Sequence, residues 1–332
     1  MIDIFAHILP PKYNEALNQK AKACFYIDAN NACPALSDLD RRFRVTDRYE
    51  GLVQVLTLGG PPVEYIADSK GAIELARLAN DEMAEMVMKY PGRFLTAVAC
   101  LPMNNIDAAL READRAVKEL NFKGVQIYTP VNGRPLDRPE FLGLYQKMAD
   151  YDLPIWIHPA RDADVPDYHG EKASRYRLFT SFGWPYETTL AMARLVFSGV
   201  LERYPNIKFI THHCGGMVPY FEQRIAVRKI YNNKDTSINP EHVEKLSRPP
   251  IDYFRKFYAD TAISGSIPAL MCGHAFFGAD HLLFGVDYPY GAEDGELKLR
   301  QTINSIKLMD VPESDKKKIF EKNAEKILHL PG

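Results

Sequence analysis

The sequence has no apolar run approaching the roughly 20 residues that a membrane-spanning helix needs. Its start, MIDIFAHILPPKY, carries neither a basic n-region nor a small-residue cleavage site. A membrane partner is disfavoured and a cytoplasmic protein is expected. An excess of one charge is lacking too: 41 Lys and Arg stand against 43 Asp and Glu, a formal net charge of −2. Without a basic field there is little to attract a phosphate backbone, so nucleic acid is disfavoured as a partner. Cysteine is sparse, with five residues (Cys24, Cys33, Cys100, Cys214, Cys272), an odd number with no CxxC spacing. That pattern reads as reduced, mostly structural thiols. No internal repeat or low-complexity tract is visible, and 46 % hydrophobic residues over 332 positions suffice to bury a large core.

What is there is alternation. Short β-branched or apolar runs, over Ile2–His7, Leu52–Leu58, Phe94–Leu101, Gly124–Tyr128, Pro154–His158, Ile207–His212, Phe257–Asp260 and Leu282–Val286, read as strands. Three-and-four spacing of apolar residues marks helices over Ala72–Lys89, Ile106–Glu119, Glu140–Tyr151, Thr188–Arg203, Val218–Lys229, Glu296–Met309 and Glu313–Leu328. This rhythm predicts an α/β fold, a (β/α)8 TIM barrel, as one domain over residues 1–332. Stretches 10–50, 160–184 and 231–255 break the repeat and read as loop insertions. The first two are candidates to border a site, and the third suits a homodimer contact.

Histidine placement carries the chemistry. His7 closes IDIFA, His158 closes PIWI, the pair His212-His213 follows IKFIT, and Asp287 closes LLFGV. Strand ends of a parallel barrel point to one rim, so these residues converge there. Imidazoles with a carboxylate are the ligand set of zinc, manganese or iron. Each also has a plainer reading: a histidine at a strand end is often a hydrogen-bonded structural residue, and Asp287 stands where a turn residue before Pro289 would.

Segments IDIFAHILPPKY, RFLTAVACLPMNNIDAALREADRAVKELNFKGVQIYTPVNG, PIWIHP, GWPYETTLAMARLVFSGVLERYPNIKFITHHCGGMVPYFEQRI, FYADTA and LLFGVDYPYG span almost the whole chain. Through them it resembles the amidohydrolase-related metal-dependent decarboxylases, the family of aminocarboxymuconate-semialdehyde and gamma-resorcylate decarboxylases. The resemblance implies that His7, His158 and Asp287 hold one divalent ion, zinc foremost and manganese second. It implies that His213, six residues before Pro219, moves the proton, with Asp287 as the other candidate donor. His212 would then turn away into the wall, because adjacent strand residues face opposite sides. By spacing, Arg44 matches an arginine that grips a substrate carboxylate. Tyr128, ending the fourth strand, and Trp184, with Phe179 and Tyr186 nearby, would wall a planar substrate.

One departure is sharp. Relatives carry His-x-His or Glu-x-His on the first strand, whereas here the triplet is Phe5-Ala6-His7. Residues i and i+2 of a strand share a face, so Phe5 should aim its ring where a ligand would sit. The site is then completed by water, recruits another group, or has lost its metal; the first is favoured because the other three ligands are intact. The expected reaction is non-oxidative decarboxylation of an unsaturated or aromatic carboxylic acid, a small-molecule substrate. Identical ligands also serve a hydrolase or hydratase, and a third reading makes the barrel bind a ligand without turnover. Three protein ligands predict weaker metal retention than four. Elemental analysis of carefully purified protein checks this, and finding neither metal nor metal-restored activity would remove the metal from the account.

Overall fold

A computed structural model describes residues 1–21, 24–226 and 246–330. Among them nine strands run parallel: β1 (Ile2–Ile8), β2 (Val53–Leu58), β3 (Phe94–Ala97), β4 (Ala99–Cys100), β5 (Val125–Thr129), β6 (Ile155–Pro159), β7 (Phe209–Thr211), β8 (Tyr258–Asp260) and β9 (Leu282–Leu283). β3 and β4 continue one another across Val98, whose N–H donates to Leu56 O at 2.9 Å, so the nine strands make eight staves. The ring closes where Ile4 N–H donates to Phe284 O at 3.0 Å and His7 N–H to Tyr288 O at 2.7 Å. The fold is a (β/α)8 barrel, as the alternation predicts.

The staves are apolar on both faces because both are covered. Inside the barrel, Ile2, Ile4, Phe5, Val55, Val98, Trp156, Ile210 and Leu283 form one cluster, closed off by Ala324, Ile327 and Leu328 of the last helical stretch. Trp156 Nε1–H donates to Ile4 O at 3.0 Å across that interior. Gly124 makes room for it, since a Cβ there would lie 2.4 Å from the indole. Outside, helices Ser69–Lys89, Ile106–Lys118, Leu142–Asp150, Trp184–Phe197 and Glu296–Lys307 seal the wall.

Two regions differ from the sequence expectation. Residues 10–50 are a helical insertion, with helices Pro11–Lys20, Phe25–Asn31 and Leu39–Thr46. Between β8 and β9 lies the helix Ile267–Phe277, which the periodicity reading missed. Its sequence, IPALMCGHAFF, is apolar nearly all round and so shows no stripe. Of the expected helix Val218–Lys229, Glu222–Ala226 is helical; its remaining residues beyond 226, and most of the 231–255 insertion, fall outside the described residues.

One side chain ties the insertion to the barrel beneath the rim. Arg42 is fully buried. Its Nε donates to Gln54 Oε1 at 2.9 Å and its Nη1 to His7 O at 2.8 Å, while the guanidinium lies 4.9 Å from the Tyr288 ring centre. Beside it, Asp3 accepts from Val286 N–H at 3.1 Å and Phe5 N–H at 3.2 Å, stitching β1 to the closing stave. Replacing Arg42 by Met leaves buried acceptors unpaired and should cost about 3 kcal/mol. Urea unfolding reads this as a lowered midpoint; an unchanged midpoint would contradict it.

Candidate metal centre

The C-terminal ends of the staves deliver the site, and each histidine arrives with one ring nitrogen already committed. On β1, His7 is fully buried and its Nδ1 lies 3.0 Å from Thr57 Oγ1 on β2. Its Nε2 is buried, has no hydrogen-bond partner, and stands 3.4 Å from Asp287 Oδ1. On β6, His158 Nδ1–H donates to the Pro159 carbonyl at 2.7 Å, so the lone pair resides on Nε2.

His212 follows β7 directly and corrects the sequence expectation. It does not turn into the wall. Ile210 belongs to the cluster inside the barrel, and counting by two from it brings His212 inward. Its Nδ1 is hydrogen-bonded to Asp260 Oδ2 at the end of β8. Its Nε2 is buried without a hydrogen-bond partner, 3.5 Å from Asp287 Oδ1. Asp260 Oδ1 meanwhile accepts from the N–H groups of Cys214 and Ala262 at 3.0 and 3.1 Å.

His213 also reaches the rim, because strand alternation ends before it: its φ of 56° begins a left-handed bend that continues through Cys214 and Gly215. The bend sets its ring 3.9 Å from that of His212 and 6.2 Å from Trp184. It is only half-buried, yet its Nδ1 has no partner. Asp287, at φ 65°, turns its carboxylate into the ring of imidazoles, with Oδ2 accepting from Lys298 Nζ at 2.6 Å.

The ring centres of His7, His158 and His212 form a triangle with sides of 5.1, 5.0 and 5.9 Å. One donor nitrogen from each lies within 4.8 Å of the others. His212, His213 and Asp287 form a second group within the same limit. Phe5 is the neighbour that cannot ligate: its buried ring stacks on His212 at 4.1 Å and lies 6.0 Å from His7.

Tyr128 and Trp184 both stand at the site, 5.0 and 6.0 Å from the His158 ring. Tyr128 donates to Leu58 O at 3.2 Å and Trp184 Nε1–H to Arg161 O at 3.2 Å. Phe179 packs against Phe25, whereas Tyr186 is exposed. Arg44 is exposed on the helix Leu39–Thr46, whose buried residues are Arg42, Val45 and Thr46. Its match was one of linear spacing, and the helical period turns it outward. Sequence reasoning assigned nothing to Thr57, Asp260, Lys298 or Tyr290, the last with its ring 5.6 Å from His7. Asp260 alone had a visible signal, as a carboxylate closing the strand in FYADTA.

Electrostatics divide the histidines. Burial holds His7 below the ordinary imidazole range and His158 well below it. The enclosed setting, with His212 beside it, does the same to His213. For His212, burial opposes the charge, but the Asp260 carboxylate outweighs it and raises the imidazole to about 9. Burial likewise opposes ionisation of Asp287, yet Lys298 with His212 and His7 holds its carboxyl well below the usual carboxylate range. Neutral His7 and His158 beside an ionised carboxylate are the donors a divalent cation takes, and the buried, unpartnered Nε2 of His7 leaves that role unfilled.

The amidohydrolase family profile matches residues 2–330. The chain belongs to the amidohydrolase family. Among curated amidohydrolases, it is 33 % identical over 306 residues to the gamma-resorcylate decarboxylase of Polaromonas sp. strain JS666, covering 88 % of this chain and 87 % of the relative. It is 28 % identical to the 2-amino-3-carboxymuconate-6-semialdehyde decarboxylase of Dictyostelium discoideum, covering 99 % and 91 %. The crystal structure of dihydroxybenzoic acid decarboxylase from Polaromonas sp. JS666, with bound manganese and the inhibitor 2-nitroresorcinol, superposes with a TM-score of 0.79 at 28 % identity over 99 % of this chain and 96 % of that one. No helix among the described residues is long and apolar enough to cross a membrane.

The charge pattern is directly measurable. In metal-free protein, imidazole nitrogen NMR should find His7, His158 and His213 neutral at pH 7 and His212 charged, losing its proton only as the pH rises towards 9. Asp260→Asn removes the group that raises it, so His212 should then lose its proton at lower pH. A His212 neutral at pH 7, or unmoved by Asp260→Asn, would contradict the assignment.

Proposed function

We propose that this amidohydrolase catalyses metal-dependent, non-oxidative decarboxylation of an aromatic carboxylic acid, with hydroxybenzoates the first class to test. The observation that carries the reading is the convergence of His7, His158 and His212, with Asp287 Oδ1 3.4 Å from His7 Nε2, beside a half-buried His213 and the rings of Tyr128, Trp184 and Tyr290. When held by His7, His158 and Asp287, a divalent ion supplies a Lewis acid for a carboxylate or phenolate oxygen. Manganese, the ion bound in the Polaromonas enzyme, is the working assignment, and the imidazole-rich donor set suits zinc as well.

This chain's own residues supply the rest. Lys298 fixes Asp287 by its outer oxygen, leaving Oδ1 to face the imidazoles. The aromatic wall takes a flat ring and excludes water around it. His213 is more exposed than His7, His158 and His212, which suits it to reach substrate. It takes up one proton and gives it to the ring carbon that bears the carboxylate. That proton forms the new C–H bond, the electron pair of the C–C bond returns to the ring, and CO2 leaves, with no oxidant or reductant required.

Asp260, the nearby second carboxylate, is engaged by His212 and two backbone N–H groups, so it is not free to serve as a hydrolytic base. That weighs against the hydrolase or hydratase alternative. Protein loaded with manganese should release CO2 from 2,6-dihydroxybenzoate or a related hydroxybenzoate. Chelation should abolish this and the metal restore it, and His213→Ala should lower kcat by about 10²- to 10⁴-fold. No CO2 from metal-loaded enzyme across a panel of hydroxybenzoates and muconate semialdehydes would overturn the reading.

A further inference from the structure

We infer that His212 is itself a metal ligand, taking the place in the donor set that Phe5 denies to the first stave. The inference rests on the metal site proposed above and changes its composition. In the first stave, a side chain two residues before His7 shares its face, and here that place holds a phenyl ring with no donor atom. The flat face of that ring is covered by the imidazole of His212, stacked at 4.1 Å with 21° between the planes. The donor missing from β1 is therefore replaced at the neighbouring position by a ring entering from β7.

Three observations support ligation over a purely structural role. A donor nitrogen of His212 lies within 4.8 Å of those of both His7 and His158, and His212 is the one residue common to that group and to the one it forms with His213 and Asp287. Its Nδ1 is bonded to Asp260, which is anchored by two backbone N–H groups, so the ring is fixed with Nε2 pointing into the centre. A carboxylate behind the far nitrogen of an imidazole is the arrangement that orients histidine ligands. Lastly, Nε2 is buried without a partner and stands as far from Asp287 Oδ1, 3.5 Å, as His7 Nε2 does at 3.4 Å. The geometry makes a donor set of three imidazoles and one carboxylate, with His213 left free for the proton.

X-ray absorption of zinc-loaded wild-type protein counts the imidazoles without any mutation: three are expected, and three again in His213→Ala. Two in the wild type, or a loss of one in His213→Ala, overturns the inference. Zinc titration of chelator-stripped protein gives a second reading. His212→Gln should weaken binding by at least about 100-fold, Asp260→Asn by about 10- to 100-fold, and His213→Ala by no more than about 3-fold. Adding Phe5→His to His212→Gln should restore much of the affinity. His212→Gln that folds and binds zinc like the wild type overturns the inference, and if that variant does not fold, the wild-type and His213→Ala spectra decide alone. Three imidazoles in a protein that releases no CO2 uphold the ligand set and remove only the reaction.

Discussion

Two buried nitrogens, His7 Nε2 and His212 Nε2, face one oxygen of Asp287 with no hydrogen-bond partner of their own. Polar atoms buried without partners cost free energy, of order 1–3 kcal/mol each. Everything around them works to keep them so. Thr57 occupies the outer nitrogen of His7, the Pro159 carbonyl that of His158, Asp260 that of His212, and Lys298 the outer oxygen of Asp287. A shell that satisfies every outward-facing atom and leaves the inward ones open is what a cation site requires.

The barrel supplies this because stave ends are rigid and share a rim. Arg42 holds the backbone of His7 from below, and Asp3 ties that stave to the segment leading into Asp287. At the site, His213 and Asp287 leave ordinary strand geometry, both at positive φ. Backbone in that region is tolerated where surrounding structure fixes it, and such positions cluster at functional sites. Here the bend at His213 is what allows adjacent residues, His212 and His213, to reach one rim.

Much of this was legible in the sequence, for reasons that differ by element. The eight staves are short apolar runs between amphipathic helices, and the period change marks each one. The helix Ile267–Phe277 lacks that mark because its residues are apolar on most sides. His7, His158 and Asp287 were visible as polar residues closing apolar runs. Alternation counted from His213 turns His212 outward, but alternation stops at His213; counted from Ile210, His212 points inward. Arg44 matches only by linear spacing, and in this helical segment the residue buried against the barrel is Arg42. The roles of Thr57 and Lys298 depend on contacts between staves that no local pattern announces.

This buried cluster is built to hold a divalent ion. A crystal structure of the purified protein, with anomalous diffraction recorded on both sides of the manganese and zinc absorption edges, addresses it most directly. The account predicts an anomalous peak enclosed by His7, His158, His212 and Asp287. A map with no peak there, in a crystal grown with the metal present, would contradict it.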